Sequence, residues 1–187
     1  MMSVEKYSWI RGWFSMYLFF VLCSCNTYND RKLLKEITLL QSKPINYCQN
    51  ELIHDNMLQE KIKYVIYSDS VDCMSCAINQ MDLWNPFLEY SKRYNGLFKF
   101  YFILCPSKKD IKSVKLMLSK NSKFNYPVIL DTLGQFERLN PHLPKNKALH
   151  AFLLDENNNV ILVGNPLLNK KIKEMFYRIV EEKLGKS

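Results

Sequence analysis

The chain has 187 residues, of which 48% are hydrophobic and 13% aromatic, enough for one domain with a packed core and an appendage. Charged residues make up 24%, as in an ordinary soluble protein, and no repeat or low-complexity tract occurs, which excludes a repeat array or a disordered chain. The formal net charge is +8, but the lysines are scattered (Lys108 and Lys109, Lys145 and Lys147, Lys170 and Lys171) and form no continuous stripe. That argues against a nucleic-acid partner and for a solvated surface, or one near an anionic membrane.

The first 25 residues read as an address. Lys6 and Arg11 give a basic start, and Trp13 to Leu22 is almost wholly apolar. This run is too short for a membrane-spanning helix, which needs roughly 20 residues, and it suits the apolar region of a secretory signal. Leu22-Cys23-Ser24-Cys25 resembles a bacterial lipobox, in which the cysteine takes a diacylglycerol and the chain is cut before it. The resemblance implies a signal peptide over 1–24, lipidation at Cys25 and a membrane-anchored protein in a bacterial cell envelope, where disulfides persist. A buried N-terminal helix with two free cysteines is the alternative.

Residues 25–60 read as a tether and lead-in, and 61–187 as the domain. In the lead-in, Leu33, Leu34, Ile37 and Leu40 fall at the spacing of a short amphipathic helix packed on the domain. Lys63 to Ser68 is a strand, rich in β-branched and aromatic residues. Cys76 to Trp84 has helical spacing, and Pro86 kinks or ends it before a second segment that runs to Tyr94. Asn95-Gly96 turns the chain into the apolar strand Leu97–Leu104, whose aromatic side chains are core. Asp110 is placed to cap a helix over Ile111 to Leu118. A short strand over Tyr126–Asp131 and a short helix over Gly134–Leu139 come next. Two apolar runs, Ala151–Asp155 and Val160–Gly164, flank the turn-rich Glu156–Asn159 and read as a hairpin. A closing amphipathic helix would share Leu168, Ile172, Met175, Phe176, Ile179, Val180 and Leu184 on one face.

Strand–helix–strand units imply a parallel core, to which the hairpin adds antiparallel strands. Asp72-Cys73-Met74-Ser75-Cys76-Ala77 places a Cys-x-x-Cys where a strand passes into a helix, the setting of a thioredoxin-like redox motif. Covalent haem needs a histidine where Ala77 stands. Zinc needs four ligands, and only Cys48, Cys105 and three histidines remain, none in a second Cys-x-x-Cys. No metal and no cofactor is expected. A structural disulfide stays open as a reading, although so tight a loop stabilises little. Cys48 and Cys105 read as small buried residues, with a disulfide between them as the alternative.

Three pieces carry a resemblance: Cys73–Cys76 after a strand, Tyr126-Pro-Val-Ile-Leu-Asp131, and Phe152-Leu-Leu-Asp155 through Val163-Gly-Asn-Pro166. In this order they resemble the redoxin group of the thioredoxin-like fold, which holds alkyl hydroperoxide reductase/thiol-specific antioxidant relatives and membrane-anchored thiol–disulfide oxidoreductases. The resemblance covers about residues 60–185 and implies an α/β domain with a central mixed sheet flanked by helices. It departs from the family at three places. Leu149 or His150 falls where a cis-proline faces the dithiol, Asp72 replaces a tryptophan, and Tyr67 stands where thioredoxin has a buried acid.

The activity implied is thiol–disulfide exchange on extracytoplasmic protein thiols and disulfides by a lipid-anchored monomer, recharged by a membrane reductant. Cys73, at the helix head, would be the nucleophile and Cys76 the resolving thiol. Asp69 and Asp72 would raise the thiol's affinity for its proton, giving a reducing more than a strongly oxidising protein. Two alternatives remain. One is a thiol peroxidase, for which Ser70 fits the hydroxyl position but Ile66 stands in place of the proline. The other is a non-catalytic thioredoxin-like binding lipoprotein. Asp72, Ser70, Leu149 and His150 are the accessory candidates.

Overall fold

The computed structural model describes residues 29–46, 60–70 and 73–186. The expected signal peptide over 1–24, Cys25, Cys48 and Asp72 therefore lie outside the described residues. The elements are helix α1 (residues 29–41), strand β1 (Ile62–Ser68), helix α2 (Met74–Asn79), helix α3 (Asn85–Lys92) and strand β2 (Phe98–Leu104). Helix α4 (Ile111–Lys120), strand β3 (Val128–Leu130), helix α5 (Gln135–Leu139), strands β4 (Ala151–Leu154) and β5 (Val160–Val163), and helix α6 (Lys170–Leu184) complete them.

The five strands make one sheet in the order β3-β2-β1-β4-β5. β1 pairs in parallel with β2, and β2 with β3; β4 runs antiparallel to both β1 and β5. β1 is therefore the central strand, buried on both faces, as its mostly apolar sequence requires; its one charged residue, Lys63, is buried and donates to Asn158 Oδ1 at 2.6 Å. The registers Ser68↔Leu104, Leu104↔Leu130 and Ile66↔Ala151 bring the ends of β1, β2 and β3 to one edge of the sheet, with the start of β4. Gly164 N–H donates to Ala151 O at 2.8 Å, so β5 ends there too. The mixed sheet flanked by helices is the expected fold class.

Alternation along the strands splits the core. On one face Ile62, Tyr64, Phe98, Phe100, Phe102 and Leu153 meet Trp84 and Phe87 and, from α6, Phe176 and Val180. Tyr64 sits at the centre of an aromatic cluster, 5.5 Å from Trp84, 5.4 Å from Phe100 and 5.5 Å from Phe176 between ring centroids. Such contacts contribute about 0.5–1.5 kcal/mol per pair beyond area burial. Its hydroxyl donates to Gly164 O at 2.7 Å. The other face, built on Val65, Tyr67, Ile103, Phe152 and Leu154, is covered more thinly by Leu40, Ile45 and Phe136.

Four expectations are corrected. The helix after the dithiol starts at Met74, ends at Asn79, passes through one tight turn over Met81–Trp84, and gives way to α3, with Pro86 in its first turn. The proline starts a helix instead of kinking one, because its missing N–H costs nothing there. Asp110 stands at the N-cap position of α4 as expected, with its carbonyl accepting from Val114 N–H at 2.9 Å, but its side chain makes no capping bond and accepts instead from Ser107 Oγ at 2.5 Å. In α1 only Leu40 is buried, while Leu34 is 64% exposed. Leu168 lies in the turn before α6, where Asn169 caps the helix through Ile172 N–H at 3.2 Å, and is 85% exposed.

Candidate active site

The chain leaves β1 at Ser68 and enters α2 at Met74. Cys73 is the residue that caps α2: its backbone is extended (φ −70°, ψ 92°), and its carbonyl accepts from Ala77 N–H at 3.0 Å. Its sulfur takes the place of the usual capping oxygen, accepting from Cys76 N–H at 3.3 Å. Ser75 Oγ lies 3.3 Å from the same sulfur. Cys73 and Cys76 are joined as a disulfide with their Cα atoms 5.2 Å apart, and both residues are exposed. Met74 and Ile78, on the buried side of α2, anchor the helix in the core. One turn of helix thus turns Met74 inward and both sulfurs outward.

The surroundings are tied to this edge. Asp69, just after β1, receives Lys147 Nζ at 2.8 Å, which links the loop before β4 to the loop that carries the dithiol. Asp69 was expected to raise the thiol's affinity for its proton; the neighbouring ammonium offsets much of that charge. Tyr67 N–H donates to His150 O at 2.9 Å, so His150 extends the β1–β4 pairing to the same edge. The His150 ring is buried, 5.3 Å from the Tyr67 ring, with Nε2 2.8 Å from Pro144 O. Leu149 is buried beside it, at the end of the tight turn Lys147–Leu149. The described residues contain no cis peptide bond. Ser70 is exposed in the loop after β1.

Ser75 and Lys147 were missed from the sequence. Ser75 had a signal, its place between the two cysteines, whereas Lys147 reaches Asp69 only through the fold. Cys105, one residue past β2, carries a free, half-buried thiol. Burial first, then the charge of Asp131, pushes its proton affinity up, against a lowering by the Tyr67 hydroxyl. Among the described residues no group of three or more His, Cys, Asp or Glu side chains could hold a metal ion.

A dithiol that caps the helix after the central strand of a 3-2-1-4-5 mixed sheet settles the architecture. The fold is thioredoxin-like. No family model matches the sequence, and no curated protein matches it. Among solved structures the chain is similar to one assigned as thiol:disulfide interchange protein DsbE in Chlorobium tepidum, at 16% identity and a TM-score of 0.46, over 66% of this chain and 80% of that one. A thioredoxin-like protein from Porphyromonas gingivalis is similar at 16% identity and TM-score 0.44, over 66% and 76% of the two chains. The thioredoxin domain of a thiol-disulfide oxidoreductase from Bacteroides vulgatus is similar at 11% identity and TM-score 0.43, over 64% and 82%. Likenesses of this size decide nothing about activity.

Proposed function

We propose that the chain performs thiol–disulfide exchange, in the reducing direction, on protein disulfides outside the cytoplasm, as a monomer held on a membrane through a lipid at Cys25. One observation carries the chemistry: both sulfurs are exposed at the head of α2, and a backbone N–H already points at Cys73 Sγ. In the reduced chain that N–H and the Ser75 hydroxyl would stabilise a thiolate on Cys73, because charge-assisted hydrogen bonds favour the ionised form.

The reaction then runs in two displacements. The Cys73 thiolate attacks one sulfur of a substrate disulfide, forming a mixed disulfide and expelling the other sulfur as a thiolate. Cys76 loses its proton and attacks Cys73 Sγ, and the second substrate sulfur leaves and takes up a proton. The substrate gains two electrons and the chain becomes the Cys73–Cys76 disulfide, which a membrane reductant must reopen.

Insulin reduction by the full chain tests this, with turbidity as the readout. Cys73→Ser should abolish activity, and Cys76→Ser should accumulate a mixed disulfide separable on a non-reducing gel. Equal activity of wild type and Cys73→Ser would end the proposal. A reduction potential near that of the strong periplasmic oxidants, about −120 mV, would end its reducing direction.

A further inference from the structure

We propose that the sheet edge carrying the dithiol is a docking face for an anionic phospholipid bilayer, so that the exposed sulfurs look toward the membrane surface. The two most exposed large apolar side chains of the described residues are Leu168, at 85%, and Leu133, at 68%. Both leave the same edge. Leu133 follows β3 and Leu168 follows β5, while the dithiol follows β1 between them. Four strand spacings separate β3 from β5, about 19 Å at the usual 4.8 Å. Two leucines that far apart on either side of a reactive centre do not make one pocket, but they suit insertion into one flat surface.

The charge around them has one dominant sign. Lys108 and Lys109 lie in the loop after β2, Lys145 in the loop before β4, and Lys170 and Lys171 in the first turn of α6; all are exposed. Among the described residues of these same loops, three acids are engaged within the fold: Asp69 with Lys147, Asp110 with Ser107, and Asp131 with the backbone of α5. Helix α6 has no acidic residue in its first turn, where the dipole favours one. Lys170 makes only a long, exposed ion pair with Glu174 at 3.9 Å, which is worth little in water; with Lys171 it works against the dipole at the helix head, and an external anion would offset both. Leu168 also forms the lip of a groove of about 610 Å³ between α3 and the head of α6, with Phe87, Leu167 and Tyr177 behind it and Lys173 and Glu174 beside it. Exposed leucines amid lysines match an interface of acyl chains and anionic headgroups.

This inference is independent of the redox chemistry, and its readout is not activity. The full chain is bound to vesicles of phosphatidylcholine alone or of phosphatidylcholine with phosphatidylglycerol, and amide exchange is followed for residues 131–134 and 165–171. Both segments should be protected only on the anionic vesicles. Protection should fall by about fivefold for each lysine neutralised, as in Lys170→Gln or Lys171→Gln. It should vanish in Leu133→Asp/Leu168→Asp, a pair of exposed sites whose change leaves the core intact. Equal exchange on both vesicles, or protection by soluble polyglutamate and not by phosphatidylglycerol, would overturn the proposal.

Discussion

Asp131 shows how one carboxylate sets local architecture. It is buried and accepts from Gln135 N–H and Phe136 N–H, both at 2.8 Å, so it caps α5 across the turn that follows β3. Asp131→Ala should cost about 1–2 kcal/mol, read as a lower urea midpoint at unchanged slope. The same carboxylate helps push the Cys105 thiol up. At pH 7.5 the reduced chain should therefore alkylate at Cys73 long before Cys105, followed by mass spectrometry. The Cys105 rate should climb only above the ordinary thiol range, near 9. Fast labelling of Cys105 at neutral pH would contradict the burial argument.

At the scale of elements, β1, β2, β4 and β5 were legible because each is a mostly apolar run, in β1 and β2 rich in aromatic residues, closed by turn residues such as Glu156–Asn159 in the hairpin. The dithiol was legible from its spacing and its place after a strand. The faces of the helices were less so. Helical periodicity marks an apolar stripe but not what covers it, and Leu34 in α1 is left mostly in solvent. Leu168 has the right spacing for α6, yet Asn169 caps the helix one residue later and leaves that leucine in the turn. The link from Asp69 to Lys147 joins distant parts of the chain and leaves no local trace. The segment between α5 and β4 also carries a pH dependence. Burial first, then the charge of Lys43, holds the imidazole of His142 below its ordinary value of 6.5. The unfolded chain therefore binds this proton first as pH falls, so the contribution to stability is full above about 6.5 and is lost toward the depressed value. His142→Gln should flatten the decline of the urea midpoint between pH 7 and 5; an unchanged decline would remove His142 from the account.

For the whole molecule, the decisive pairing is β1 with β4, whose registers join Lys63 to Leu154 and Ile66 to Ala151. Chains cut before Ala151 should lack a cooperative urea transition and be digested rapidly by protease, whereas chains that reach Leu184 should resist. A protected fragment ending at Asn140 would show that the parallel half folds alone. This pairing also sets a chronology. A chain made from its N-terminus presents Cys73 and Cys76 long before Ala151 emerges, and until then one edge of β1 has no neighbour. An unpaired edge is a template for wrong partners. During that interval the two sulfurs ride on an unfinished sheet, exposed to whatever oxidant or unfolded chain is nearby. The last third of the sequence thus decides when the two sulfurs become safe to use.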